Sequence, residues 1–508
     1  MQRTHRAVLC SALWTCVLGV VACGSDDSEG TPSLPVAGAA NVGAAASGGG
    51  GAAGEGAAGS GTSPVGSGGS EGLGGSLPLV GTPTVAWDFT GIIGTGQSLA
   101  VGAEAGNITA AATTQPYANL KLSLGAAAVP PFDSDAAELS LVPLTEPIRA
   151  TATTYPSAYP RNLYGESPHT AMSAAITGLA KSMGGLQDLV TVHTAVGESG
   201  QPMTIINKAA TEVVNGAQTQ GRAYAASLFE VRAIKRLADA QSKTYGVGGI
   251  FLTHGESDAG NANYTNDMLQ LWTDYNADIK AITGQTQAVP LFTSQQHGIY
   301  MYAVGDAPRD VNVSTLHQWQ AGLDHPGQIV CTGPKYQYPF AADWLHLQPL
   351  GYELMGEKYA EVFYQHVLLD RPWQPLHPLA ETITRSGAVI TLDFHVPVPP
   401  LAWDEALPTP HQGGIAEWVE GHGFEVSSGD ARLTIASVEL VDEDTVQITC
   451  TSDVPAGATL GYAATSDGAA VANVAPRWGQ LKDSDPFVGD FTKRAQPNYA
   501  VAFELAVP

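Results

Sequence analysis

A chain of 508 residues with 48 acidic side chains against 23 Lys and Arg carries a formal charge of −25, which repels nucleic acid and anionic lipid surfaces. That length exceeds what a single core usually holds, so more than one domain is expected. The five cysteines, Cys10, Cys16, Cys23, Cys331 and Cys450, form no CxxC pair and no Cys/His cluster, which argues against a structural zinc module.

Residues 1–22 place Arg3 and Arg6 ahead of a largely apolar run, Ala7–Val21, interrupted by Ser11, Thr15 and Gly19. This reads as a secretory signal, too short and wrongly flanked for a stable membrane span. It ends Val20-Val21-Ala22-Cys23-Gly24, which resembles a bacterial lipobox. The resemblance implies a mature protein beginning at lipidated Cys23, with acyl chains anchoring a soluble body to the cell envelope. An ordinary cleaved signal is the alternative. Residues 23–84 are Gly/Ala/Ser-rich with almost no large apolar side chain, so they read as a disordered tether. Within it, Gly68-Gly69-Ser70-Glu71-Gly72 matches G-x-S-x-G formally, but no strand precedes it and no helix follows.

From residue 85 to 370 strand and helix signals alternate. Val85–Phe89 leads into Ile92-Ile93, the end of a buried strand, which breaks into Gly94-Thr95-Gly96-Gln97-Ser98. Leu189–Val196 is a second strand candidate, closing on Gly197-Glu198-Ser199-Gly200. Gly248–Thr253 is a third, closing on His254-Gly255-Glu256-Ser257-Asp258. Val289–Thr293 and Gln328–Cys331 are further strands. Helical spacing recurs in Ala223–Ala240, in Tyr264, Met268, Leu271, Trp272, Tyr275 and Ile279, and from about Pro349 to Val367. Such alternation predicts an α/β fold, a parallel sheet with helices on both faces and functional loops at the carboxyl ends of its strands.

After residue 371 the texture changes to short alternating runs separated by turn residues: Ala388–Phe394, Ala431–Glu439, Thr445–Cys450, Thr459–Ala464 and Tyr499–Leu505. Residues 371–508 are therefore expected to form an all-β sandwich. Asp442-Glu443-Asp444 reads as a charged hairpin turn. Trp403, Trp418 and Trp478 are candidates for a stacking face.

Three blocks carry chemistry in order: Gly96-Gln97-Ser98, Gly255-Glu256-Ser257-Asp258 and Asp343-Trp344-Leu345-His346. Together they resemble the SGNH hydrolase superfamily, and within it the sialate O-acetylesterase-like and family 6 acetylxylan esterase branch. The tail Leu347–Glu357 also resembles that family's closing helix. The resemblance spans roughly Val85 to Leu369 and implies a flavodoxin-like sheet.

Ester hydrolysis needs a nucleophile, a base and donors for an oxyanion. Ser98 fits the first and His346 the second, and Asp343 can turn back from the same loop to hold the imidazole. By resemblance the oxyanion would be met by the Ser98 amide, by a glycine amide of the second strand end, with Gly200 favoured over Gly197, and by a side chain of the third block. There His254 stands where the family usually has glutamine. A neutral imidazole donates one N–H, so His254 is expected either to donate or to cap a strand without a role. Gln97 and Glu256 complete the oxyanion and substrate set, Glu256 as an acceptor ordering these loops. His297 is a candidate cleft-lining group or a structural one.

The resemblance implies a serine esterase removing O-acetyl groups from carbohydrate, with no metal or organic cofactor, no nucleic-acid partner, and the membrane met through the lipid anchor only. A general carboxylesterase or lipase on the same fold, or a non-catalytic glycan-binding surface lipoprotein, are the alternatives.

Overall fold

The structure, a computed structural model, describes residues 79, 81–103, 105–106, 108–109, 111–123, 130–148, 165–210, 220–297, 313–412, 414–465 and 477–508. The secretory signal, the Cys23 lipobox, nearly all of the tether and its G-x-S-x-G match lie outside the described residues. Every described residue belongs to one compact unit, Ser67–Pro508.

Seven strands form the main sheet. They are β1 (Phe89–Gly96), β2 (Leu120–Ser123), β3 (Ser140–Pro143), β4 (Val190–Gly197), β5 (Tyr245–Thr253), β6 (Leu291–Gln295) and β7 (Ile329–Pro334). Their order is β3-β2-β4-β1-β5-β6-β7. All neighbours run parallel except β3, which pairs antiparallel with β2 at the edge. The helices are α1 (His169–Ser182), α2 (Met203–Ile206), α3 (Arg222–Ala240), α4 (Tyr264–Thr283), α5 (Val313–Asp324) and α6 (Pro349–Phe363).

Successive strand residues point to opposite faces, and each face has its own core. Ile93, Val192, Ile250 and Leu291 pack with Leu228 and Val231 of α3 and with Met268 and Leu271 of α4. One residue earlier along β1, Ile92 faces the other way and joins Phe251, Phe292 and Val330 against Met172 and Ile176 of α1 and Met355 and Phe363 of α6. Every residue of β1 and β5 is buried, as strands covered on both faces require. Phe251 and Phe292 stack with centroids 4.5 Å apart, a pairing worth about 0.5–1.5 kcal/mol beyond the area buried. Ligand crevices in open α/β sheets form where strand order reverses. Here that point is β1, flanked by β4 on one side and β5 on the other.

The C-terminal part is antiparallel. One sheet is built on Val389–His395 with Thr445–Cys450, Ile435–Leu440, His377–Pro378 and Thr384–Ser386. A second is built on Phe424–Ser428 with Thr459–Tyr462, Phe503–Ala506 and Ala431–Arg432. Both close on one core that includes Ile390, Ile448, Phe424, Tyr462 and Phe503. Trp319 of α5, Cys331 of β7 and Tyr336 enter the same core, so the sandwich packs directly on the far edge of the main sheet. Cys331 and Cys450 are both buried and free. Asp442-Glu443-Asp444 turns between two paired strands, Val441 donating its N–H to Thr445. The three tryptophans form no common face: Trp418 is wholly buried in the sandwich core and gives its indole N–H to Val426, whereas Trp403 stacks on His422. Among the described residues no helix is long and apolar enough to cross a membrane.

Candidate active site

β1 ends at Gly96, whose φ of +133° lies where only glycine is comfortable. A Cβ there would sit 2.2 Å from the Thr253 carbonyl oxygen. Gln97 then donates its backbone N–H to that same carbonyl at 3.2 Å. Ser98 opens a short 3-10 turn, Ser98–Val101, at the carboxyl end of the central strand. The residue is 6% exposed.

The partner imidazole comes from a loop 248 residues away. Phe340 and Leu347 form an isolated bridge, Ala341 donates its N–H to the His346 carbonyl at 2.8 Å, and these contacts pinch the loop into a tight excursion. Trp344 takes φ +59°, an uncommon conformation for a bulky residue, at the tip of that excursion. Asp343 and His346 are thereby folded onto each other. Asp343 Oδ1 accepts the N–H groups of Leu345 and His346, both at 3.0 Å, in an Asx-type turn. Its Oδ2 lies 2.6 Å from His346 Nδ1, and His346 Nε2 lies 2.8 Å from Ser98 Oγ.

The electrostatics agree with the geometry. Partial burial pushes the Asp343 carboxyl up, but the hydrogen bonds from the His346 ring and the two amides outweigh it and hold the group at about 2. An ionised Asp343 fixes the proton of neutral His346 on Nδ1, which leaves Nε2 a bare acceptor facing the serine hydroxyl.

Gln97 is tied down at both ends. Its Nε2 donates to Glu256 Oε2 at 2.8 Å and its Oε1 accepts the Ser257 N–H at 3.3 Å. Glu256 accepts in turn from Lys335 Nζ at 2.7 Å. Lys335 and Glu256 are 0% and 2% exposed, so the ion pair is fully desolvated. Burial pushes Glu256 up, yet Lys335, foremost among several favourable contacts that include a backbone hydrogen bond, reverses this and keeps it below the usual carboxylate range.

His254 departs from the expectation that it donates to an oxyanion. It is wholly buried, its Nε2 lies 2.9 Å from the Gln201 carbonyl, and its Nδ1 lies 3.0 Å from Tyr264 Oη. A carbonyl only accepts, so Nε2 carries the proton and Nδ1 accepts from the tyrosine hydroxyl. Burial holds the ring's pKa down, and its only N–H is already given away. His254 is a strut between the loop after β4 and α4.

Gly200 lies in that same loop at φ +68°, exposed, with open space around it. Gly96 and Gly197 are register partners, and Glu198 donates its N–H to Gly96 O at 2.9 Å, so the loop starts beside the Ser98 turn. The backbone N–H groups of Ser98 and Gly200 find no acceptor among the described residues. Glu198 forms a buried ion pair with Arg222 at 2.9 Å, which makes this Gly-Glu-Ser stretch a loop anchor. His297 is buried and packs on Phe340 with ring centroids 4.3 Å apart, beneath the loop that carries His346; burial pulls it down to about 3.

Lys335 escaped the sequence reading. A single lysine just past a strand of buried residues was the available signal, and it names no partner until the strands are ordered. No cluster of three His, Cys, Asp or Glu side chains able to hold a metal occurs among the described residues.

No family model matches this chain, and no curated protein matches it. Among solved structures, a carbohydrate acetylesterase from Xanthomonas citri is similar over 82% of this chain and 80% of its own, at 14% identity and a TM-score of 0.48. NanS is similar over 56% of this chain and 98% of its own, at 11% identity and a TM-score of 0.36. Est24, a carbohydrate acetylesterase from Sinorhizobium meliloti, is similar over 54% of this chain and 97% of its own, at 11% identity and a TM-score of 0.24.

Proposed function

We propose that this protein is a serine esterase that removes O-acetyl groups from carbohydrate. The observation that carries the esterase chemistry is the relay Ser98 Oγ–His346 Nε2–His346 Nδ1–Asp343 Oδ2, at 2.8 and 2.6 Å, at the point of the sheet where strand order reverses. The acetyl group and the sugar rest on the resemblance of the three sequence blocks.

In this reading Ser98 Oγ attacks the acetyl carbonyl while His346 Nε2 takes its proton. The N–H groups of Ser98 and Gly200 face the oxygen that gains charge. The tetrahedral adduct expels the sugar oxygen, which takes the proton from His346. Water, deprotonated by the same imidazole, then attacks the acetyl-serine; as that adduct collapses, Ser98 Oγ leaves with the proton returned by His346 and acetate is released. Asp343 stabilises the imidazolium in both halves and keeps its own charge throughout.

The test is acetate release from a panel of acetylated glycans by the chain and by its Ser98→Ala variant. Release by the parent that drops on the order of 10⁴-fold or more in the variant fits the mechanism. Equal release by both would show that Ser98 is not the nucleophile.

The lipoprotein reading belongs with this proposal: residues 1–22 as export signal, Cys23 as lipid attachment, 23–84 as tether, with the hydrolase and sandwich domains at 85–370 and 371–508. Cys23→Ser moving the protein from the membrane fraction to the soluble one supports it. An unchanged distribution removes it.

A further inference from the structure

We infer that Lys335 is a positioning residue for Ser98, acting through Glu256 and Gln97. This rests on the serine-hydrolase reading of the site and extends it to a residue outside the three sequence blocks.

The chain of contacts joins three strand ends. Lys335 follows β7, Glu256 follows β5, and Gln97 joins β1 to the serine. β6 lies between β5 and β7, so the ammonium reaches past one strand end to meet the carboxylate at 2.7 Å. Glu256 passes the constraint on through its other oxygen, 2.8 Å from Gln97 Nε2, and Gln97 Oε1 holds the Ser257 N–H at 3.3 Å. With both ends of its amide engaged, Gln97 has one orientation. Its backbone N–H is held on Thr253. The residue after it is the serine.

A buried ion pair is weak evidence for stability, because desolvation offsets most of the attraction. Here its distinctive effect is on charge state. An ionised Glu256 only accepts, and a charge-assisted hydrogen bond to the amide is about twice as strong as a neutral one. Lys335 is the cation that maintains this. Four other titratable groups near Glu256 are held toward their neutral forms by burial. His254 on the same loop and His297 after β6 are held down by burial. Tyr264 of α4 and Tyr359 of α6 are pushed up by it. Asp258 lies on Glu256's own turn, where its Oδ2 accepts the Met203 N–H. Arg477 lines one small cavity with His297.

Without the ammonium, the largest opposition to burial is gone and the Glu256 carboxyl shifts upward, with the Gln97 amide still donating to it. The amide would then be held by an ordinary hydrogen bond at low pH and by a charge-assisted one at high pH.

The experiment follows phosphonylation of Ser98 by a fluorophosphonate probe from pH 5 to 9 in the full chain, with thermal melting in parallel. Lys335→Met is expected to label about five- to tenfold more slowly at pH 7, the difference between a charged and a neutral hydrogen bond. Its acid limb is expected to lie at least about one pH unit higher than the parent's, with the rate recovered as pH rises. The paired substitution Lys335→Met with Glu256→Gln removes the titrating group, so its acid limb returns to the parent position. Three results would overturn the inference. These are a Lys335→Met profile matching the parent, a rate loss uniform in pH that tracks loss of folded protein, or failure of both variants to fold. The probe reads serine reactivity without a sugar, so a parent chain that labels but releases no acetate would sink the substrate class and leave this test standing. A parent that does not label sinks the serine mechanism and the positioning role with it.

Discussion

Asp343 holds His346 by two contacts and its loop by a third: Oδ2 meets the ring Nδ1 at 2.6 Å, and Oδ1 accepts the backbone N–H groups of His346 and Leu345, both at 3.0 Å. The same side chain therefore shapes the loop and sets the tautomer. Asp343→Asn separates these tasks. An amide oxygen still accepts the two backbone N–H groups, so thermal stability should change by no more than about 1 kcal/mol. Its NH₂ would face Nδ1 and drive the ring proton to Nε2, where it blocks proton transfer from Ser98. A kcat lower by on the order of 10⁴-fold with normal melting is expected; a variant retaining most of its kcat would show that the carboxylate is only structural.

Gly96 and Gly200 both have positive φ, yet they differ sharply in surroundings. A Cβ at Gly96 meets the Thr253 carbonyl at 2.2 Å, whereas none lies within 4 Å at Gly200. Gly96→Ala should cost about 3 kcal/mol or more, from dihedral strain plus backbone overlap, and should slow labelling of Ser98. Gly200→Ala should cost about 1 kcal/mol. Urea midpoints of the two variants decide this; equal losses would mean that the β1 end relaxes freely.

Glu166 Oε2 accepts the Thr109 N–H, and Thr109 Oγ1 donates to Glu353 Oε1, both at 2.8 Å. Burial, with the Glu353 carboxyl beside it, pushes Glu166 from its ordinary 4.5 up to about 8. Between those values the folded state binds more protons than the unfolded chain. The stabilisation is therefore full below about 4.5 and is lost as pH rises through about 8. Glu166→Gln mimics the protonated carboxyl at every pH. Urea midpoints from pH 4 to 9 should flatten in this variant; a slope equal to the parent's would remove Glu166 as the source.

Tyr264→Phe removes the hydroxyl that His254 Nδ1 accepts. Because His254 already gives its N–H to Gln201, the expected effect is a stability loss of about 1–2 kcal/mol with kcat changed less than severalfold. A large kcat loss at unchanged stability would return His254 to the oxyanion.

Much of the fold was legible because burial writes itself into hydrophobic pattern. The strands before Ser98, Gly197 and His254, the long helices α3, α4 and α6, and five sandwich runs carry clear periodicity. Phe424–Ser428 went unread, and Ala431–Glu439 divides into Ala431–Arg432 of one sheet and Ile435–Leu440 of the other. α1 carries no such periodicity: from His169 to Ala180 every residue is buried, so His-Thr-Ala-Met-Ser-Ala-Ala-Ile-Thr-Gly-Leu-Ala shows no polar stripe to mark a helix face. The four-residue strands β2 and β3 were missed for a different reason, being too short for alternation to stand out, and with them went the antiparallel edge.

The sequence by itself determined where the chemistry-bearing groups sit along the chain: Ser98 and the Glu256 block follow a local pattern of strand, glycine and turn, and the Asp343–His346 block stood out through its resemblance to a known family's closing motif. Which groups those side chains meet was decided only by tertiary structure. His254 could donate to a ligand until Gln201 and Tyr264 were seen to occupy both its nitrogens, and Lys335 had no partner until β5 and β7 were placed two strands apart. The physical reason is that periodicity reports burial, which depends on neighbours a few residues away. Hydrogen bonds and ion pairs depend on separations of about 3 Å between groups that the chain brings together from far apart.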